Sequence, residues 1–250
     1  MDPAQESGAC MSSPSSLDLQ QAAILQRALV SGELAWDMLF GINLGFYRTF
    51  AIPSIARTLA GSGELVDAPA ARAKATGDMM YVLFKEGLES ERGKQVIGAM
   101  NRMHSRFDIS QDEFRYVLAC FEVAPMRWCD RRGSRATTDA EKAAAHTFYL
   151  ALAERMDIRD VPATWHALAA WMDAYEREHF APTEEAAALW NATRDVLTNR
   201  APKVLAPVVR SCADAMLDPP LRRVVGAGNP TVSARVIAPL LLRLAKANYR

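Results

Sequence analysis

Helix start signals recur along this chain, each followed by apolar residues spaced three and four apart. Ser110 and Glu113 stand three apart ahead of an apolar segment, and so do Thr138 and Glu141. At that spacing the hydroxyl accepts from the third backbone N–H while the carboxylate reaches back to the cap, so each pair predicts a helix N-terminus. Pro69, and Pro162 with Thr164, mark two further starts. Thr183 opens another helix with two acidic residues in its first turn, where the helix dipole favours them. Gly61, Gly63 and Gly87 read as stops. No run alternates polar and apolar residues at period two, and no hairpin signal is present. The chain therefore predicts an all-α fold. The expected helices run from Ser16 to Val30, from Glu33 to Phe50, and in a short piece after Pro53 to Gly61. Others run from Pro69 to Gly87, from Glu91 to Phe107, from Ser110 to Val123 with Pro125 as the stop, and from Thr138 to Met156. The last four cover Pro162 to Phe180, a segment from Thr183, Lys203 to Leu217, and Thr231 to Asn248, where Pro239 should introduce a kink.

Half of the 250 residues are hydrophobic, enough to bury a core that encloses a cofactor. No linker or repeat divides the chain. The reading is one helical domain over residues 17–250 behind a disordered tail over residues 1–16. The tail has neither the basic start nor the apolar centre of a secretory signal. Lysine plus arginine balance aspartate plus glutamate at 29 each, so the basic excess of a nucleic-acid binder is missing. One local basic cluster, Arg131, Arg132 and Arg135, sits beside Gly133 and Ser134 and reads as a solvated loop. Among the four cysteines no CxxC spacing occurs. Cys120 and Cys212 lie in apolar helical patterns and read as core, which fits a reducing compartment and a cytoplasmic location. No stretch reaches the roughly 18 uninterrupted apolar residues of a spanning helix. The nearest, Leu34 to Ile52, is broken by Asp37, Asn43 and Arg48 and reads as a buried helix, with contact at a membrane surface left open.

Only four histidines are present: His104, His146, His166 and His179. Ile97, Met100, His104 and Phe107 are spaced three, four and three apart and share one helical face. An imidazole therefore projects into the apolar side of its helix, either as a core histidine or as a metal ligand. A lone histidine suits haem better than zinc, because haem brings four nitrogens of its own. Arg72 and Thr76 lie four apart in line with Met80 and Leu83. That arginine either snorkels to solvent or points a fixed cation into a pocket beside the hydroxyl, where the two could stabilise an oxygen species or a cofactor carboxylate. His146, His166 and His179 read as structural, and Tyr175 with Glu176 as a hydrogen-bonding pair at a helix end. Motifs of the HExxH, GxxxxGK and GxSxG types are absent.

The run MNRMHSRFDISQDEFRYVLACFEVAPMRW, from Met100 to Trp128, resembles the MpaB and rubber-oxygenase family, which includes fungal MpaB-type oxygenases and latex clearing proteins. The resemblance continues through EKAAAHTFYLALAERMDI (Glu141 to Ile158) and YEREHF (Tyr175 to Phe180), and upstream through RAKAT (Arg72 to Thr76). It covers roughly Phe46 to Leu217 and is nearer to the MpaB branch. It implies a helical fold with a globin-like core around haem b. His104 would be the proximal iron ligand, Met100 and Phe107 would pack on the cofactor, and Arg72 and Thr76 would stand on the distal side. The rubber-degrading branch has a lysine directly before that threonine. This chain has Ala75 there, with Lys74 turned about 100° around the helix, so no distal lysine carries over. The implied activity is attack of dioxygen on a carbon–carbon double bond of an apolar, isoprenoid- or lipid-like substrate. The alternative is a haem or apolar-ligand binder without turnover.

Overall fold

Both capping boxes close in three dimensions. The Ser110 hydroxyl accepts from the Glu113 N–H at 3.2 Å while the Glu113 carboxylate accepts from the Ser110 N–H at 2.7 Å; for Thr138 and Glu141 the same bonds measure 3.2 and 2.8 Å. Ser90, Thr164, Thr183 and Asp218 also cap helices with their side chains. The structure, a computed structural model, describes residues 16–199 and 202–249. Among these are thirteen α-helices, two short 3-10 helices and no strand, as the all-α expectation requires. The first six helices are α1 (Ser16–Ser31), α2 (Ala35–Arg48), α3 (Pro53–Gly61), α4 (Glu64–Asp67), α5 (Pro69–Glu86) and α6 (Glu91–His104). They are followed by α7 (Gln111–Arg132), α8 (Asp139–Arg155), α9 (Trp165–His179) and α10 (Glu184–Thr198). The last three are α11 (Ala206–Met216), α12 (Pro219–Val224) and α13 (Val232–Tyr249). The expected tail lies outside the described residues except for Ser16, which begins α1; Cys10 is outside them too.

α7 corrects the sequence reading. Pro125 does not stop it; the helix runs on to Arg132 and takes Arg131 and Arg132 out of the expected loop. Proline cannot donate to the carbonyl four residues earlier, which belongs to Phe121. Tyr149 of α8 supplies the missing donor, its hydroxyl lying 2.9 Å from the Phe121 oxygen. The helix survives because a neighbouring helix satisfies the group the proline leaves open. Two other boundaries move. α6 ends at His104, where Ser105 turns its hydroxyl back onto the Arg102 carbonyl, so Phe107 lies in the following turn rather than on the helix face. The expected helix from Lys203 to Leu217 is a 3-10 turn plus α11, and α4 and α12 are additional short elements.

α2 lies tightly along α7 because glycines allow it. A Cβ on Gly41 would come within 2.3 Å of the Pro125 Cα, and one on Gly45 within 2.1 Å of the Cys120 carbonyl oxygen. Around this pair, α1 packs on α8, α9 on α7, and α10 on α3, α4 and α11. One core, containing Tyr116, Met126, Leu168 and Met172, fills the space between α2, α7 and α9. A second, with Leu83, Leu118, Phe148 and Leu152, joins α5, α6, α7 and α8. A third, with Phe50, Leu189, Trp190 and Leu221, sits under α10 to α12. No described helix is long and apolar enough to cross a membrane.

Candidate functional site

An apolar cavity of about 250 Å³ lies beside the second core, walled by α3, α5, α6, the first half of α7 and α8, with Phe46 of α2 and Leu65 of α4. That is slightly below the ~300–1,000 Å³ usual for small-molecule sites. Five of the lining residues are methionines, Met79, Met80, Met100, Met103 and Met156, the side chains that re-pack most readily. Arg72, Thr76, His104, Met100 and Phe107, all singled out in the sequence, line this one cavity.

His104 closes α6 and is partly buried. Its Nδ1 is fully buried and has no hydrogen-bond partner. The Phe114 ring meets it edge-on with centroids 5.3 Å apart. Burial and, after it, the Arg72 charge push the imidazole below its ordinary range, so it is neutral near pH 7 and keeps a lone pair. Arg72 Nη1 donates to the Thr76 hydroxyl at 2.6 Å, and that hydroxyl donates to the Arg72 carbonyl at 3.1 Å. Arg72 Nη2 also reaches the Met103 sulfur at 3.9 Å. The threonine thus fixes the guanidinium on the α5 wall. Phe107 is 39% exposed, at the cavity's edge. Lys74 pairs with Asp78 on the exposed face of α5 and does not line the cavity.

The back wall was not legible. Phe114, Val117, Leu118 and Phe121 of α7, and Tyr149 and Leu152 of α8, complete the cavity. Their sequence signal is an apolar run that fits ordinary core equally well. Among the other histidines, His146 is buried and contacts the buried Glu122 carboxylate at 2.9 Å. His179 stacks on Tyr175 with centroids 4.1 Å apart. Glu176 does not pair with Tyr175 as expected. It takes a two-pronged contact from Arg48 and accepts from the Tyr116 hydroxyl at 3.0 Å. Arg48 bridges on to Asp218. Burial would lower the Arg48 pKa, but the bond to Glu176 and the two carboxylate charges outweigh it.

The chain is 22% identical over 222 residues to the ER-bound oxygenase mpaB' of Penicillium brevicompactum, a match covering 82% of this chain and 52% of that protein. Against the ER-bound oxygenase mpaB of Penicillium roqueforti (strain FM164) it is 22% identical over 222 residues, covering 82% and 74% of the two chains. A third relative, the ER-bound oxygenase mpaB of Penicillium brevicompactum, is 23% identical over 145 residues, 56% of this chain and 37% of that one. This chain spans about half the length of the first of them. Residues 33–247 match the catalytic-domain family described as ER-bound oxygenase mpaB/B'/Rubber oxygenase, and with that coverage the chain belongs to this oxygenase family.

Proposed function

We propose that this chain is a haem-dependent oxygenase acting on a carbon–carbon double bond in an apolar, isoprenoid- or lipid-like substrate. The observation that carries the reading is His104, a neutral imidazole with a buried, unbonded nitrogen on a methionine-rich apolar cavity. Among the described residues no three or more His, Cys, Asp or Glu side chains converge. An iron held at His104 would thus bring its remaining ligands with it, as haem does. The residues suit such a group in kind: one imidazole nitrogen that would hold the iron, apolar walls for the macrocycle, and an arginine fixed on the cavity wall. Seating the macrocycle calls for re-packing of the methionines.

When bound, the haem supplies the dioxygen chemistry. The chain's own residues do the rest. His104 would hold the iron through its lone pair. Met100 and Phe107 pack beside it. Arg72, held by Thr76, presents a guanidinium that polarises oxygen or pairs with a carboxylate. The walls from α7 and α8 exclude water and orient an apolar substrate. The three described cysteines are unpaired, which suits a reducing, cytoplasmic setting.

The test is reconstitution with haem, read by a Soret band and a pyridine haemochrome assay. Near-stoichiometric haem is expected, with loss of it in His104→Ala while far-UV circular dichroism stays unchanged. A full haem complement in that variant would remove His104 as the ligand. Oxygen uptake with unsaturated substrates then separates an oxygenase from a binder: stoichiometric haem without uptake would favour a carrier. Thr76→Ala should keep haem and lose most turnover.

A further inference from the structure

A second cleft, of about 1410 Å³, shares no lining residue with the His104 cavity. Its walls come from the end of α2, the second half of α7, α9, and α11 to α13. Eight arginines line it against three carboxylates, in a chain whose net charge is zero. All three carboxylates are already taken. Arg48 holds Glu176 and Asp218, and Arg127 grips Asp173 with bonds of 2.6 and 2.7 Å. Arg131, Arg132, Arg177, Arg222, Arg223 and Arg235 make no ion pair among the described residues, though the Arg131 charge helps Arg48 hold the Asp218 pKa down. Arg131 and Arg223 each donate to a backbone carbonyl, and Arg132 lies 5.9 Å over the Trp128 ring. These contacts orient guanidinium planes without neutralising them. Trp128, 9% exposed, lines the same cleft with its indole N–H buried and unbonded. Between the arginines the lining is apolar, with Met172, Phe180, Leu217 and Leu221.

Like charges gathered in a cleft with low-dielectric walls focus a positive potential and attract an anion. A lone carboxylate engages one guanidinium fork. A phosphoryl group, with more oxygens and more charge, engages several forks arriving from different helices. We propose that this cleft binds a phosphate-bearing amphiphile, with phosphoryl oxygens on the arginines of α7, α9, α12 and α13 and the apolar part on Met172, Phe180 and Leu221. The phosphoryl group belongs either to a soluble ester or to the headgroup of an anionic lipid.

Inorganic pyrophosphate, titrated calorimetrically into the full chain, is the first probe. Vesicles of phosphatidylcholine with and without phosphatidic acid are the second. Arg177→Gln with Arg235→Gln removes two exposed cleft arginines; Arg27→Gln with Arg57→Gln removes the same charge outside the cleft. The cleft pair should weaken pyrophosphate binding by roughly tenfold or more per arginine, and the control pair should leave it nearly unchanged. Binding should also weaken as salt rises. Pyrophosphate binding without vesicle capture supports a soluble ester. Capture by phosphatidic acid vesicles that pyrophosphate reverses supports the lipid source. Binding of neither probe, or equal losses in the two variant pairs, overturns the proposal.

Discussion

Removing one hydroxyl, in Tyr149→Phe, tests why α7 continues through a proline. Tyr149 is 2% exposed, and its hydroxyl is the donor to the Phe121 carbonyl, 2.9 Å away. Burial pushes that phenol far above its ordinary range, so it is a protonated donor at every accessible pH. With residue 125 a proline, no helical N–H takes the donor's place. A shielded polar group stripped of its partner costs about 1–3 kcal/mol. For a chain of this size each kcal/mol moves the melting temperature by roughly 2–4 °C, so Tyr149→Phe should lose on the order of 2–12 °C. The discriminating step is a double-mutant cycle with Pro125→Ala. Alanine keeps the Cα and Cβ that face Gly41 and adds an N–H that can reach the Phe121 oxygen. In that background the phenol becomes a second donor, and its removal should cost about 1 kcal/mol less. Urea denaturation of the four proteins, followed by circular dichroism, measures the coupling. Coupling within the ~0.3–0.5 kcal/mol expected of independent sites would refute the account.

Gly45→Ala should destabilise by about 1–3 kcal/mol or more, because its Cβ meets the Cys120 backbone, which cannot rotate aside; an unchanged melting curve would contradict the close approach of α2 and α7. Arg48→Met should cost about 3–5 kcal/mol at neutral pH, since it leaves Glu176 and Asp218 shielded and unpaired. Burial alone would raise Asp218, but Arg48 holds it below the usual carboxylate range. Its contribution is therefore present above the unfolded carboxylate pKa and lost as pH falls through the folded one, so the Arg48→Met penalty should shrink in acid. A penalty that does not vary with pH in denaturation curves would count against this. Glu122 has the opposite sign. Burial raises its pKa and His146 offsets only part of that. The folded state then holds the proton more tightly, and stability falls as pH rises from the unfolded pKa through the folded one. Glu122→Gln should match the parent near pH 4 and melt higher near pH 8, and a lower melting point at pH 8 would reverse the assignment.

Local chemistry made the helix starts readable. A cap and its partner sit three residues apart, so sequence spacing is spatial spacing. The same locality lets the spacing of four pair Arg72 with Thr76 and puts His104 on an apolar face. The failures share the opposite cause. Pro125 obeys a local stop rule, and what overrides it is the Tyr149 hydroxyl, 28 residues from the Phe121 carbonyl it bonds. Arg48 and Glu176, 128 residues apart, satisfy each other only after folding. Phe107 lost its helix because Ser105 competes for a backbone carbonyl, a choice that periodicity does not register. The arginine cleft was hidden in a different way. Its cations are scattered through five helices and balanced along the chain by acids most of which end up elsewhere, so a net charge of zero conceals them.

α7 and the end of α2 packed along it are what the two candidate sites have in common, with Leu44 and Arg48 on the cleft and Phe46 on the His104 cavity. Phe114, Val117, Leu118 and Phe121 face the His104 cavity, and Arg127, Trp128, Arg131 and Arg132 face the cleft, with Pro125 between the two sets. A perturbation that moves α7 bodily, such as Gly45→Ala, reaches both. The residues chosen to test each site do not. His104 lies on α6, while Arg177 on α9 and Arg235 on α13 belong to helices that contribute nothing to the cavity lining. Haem retention in Arg177→Gln with Arg235→Gln, and pyrophosphate binding in His104→Ala, therefore separate the claims. If the cleft variant kept haem but lost pyrophosphate, and His104→Ala did the reverse, the sites would be independent in chemistry and linked only by the α2 and α7 scaffold that walls them. If either variant lost both ligands, the shared α2 and α7 scaffold would have moved, and the loss would report on it and not on the side chain removed.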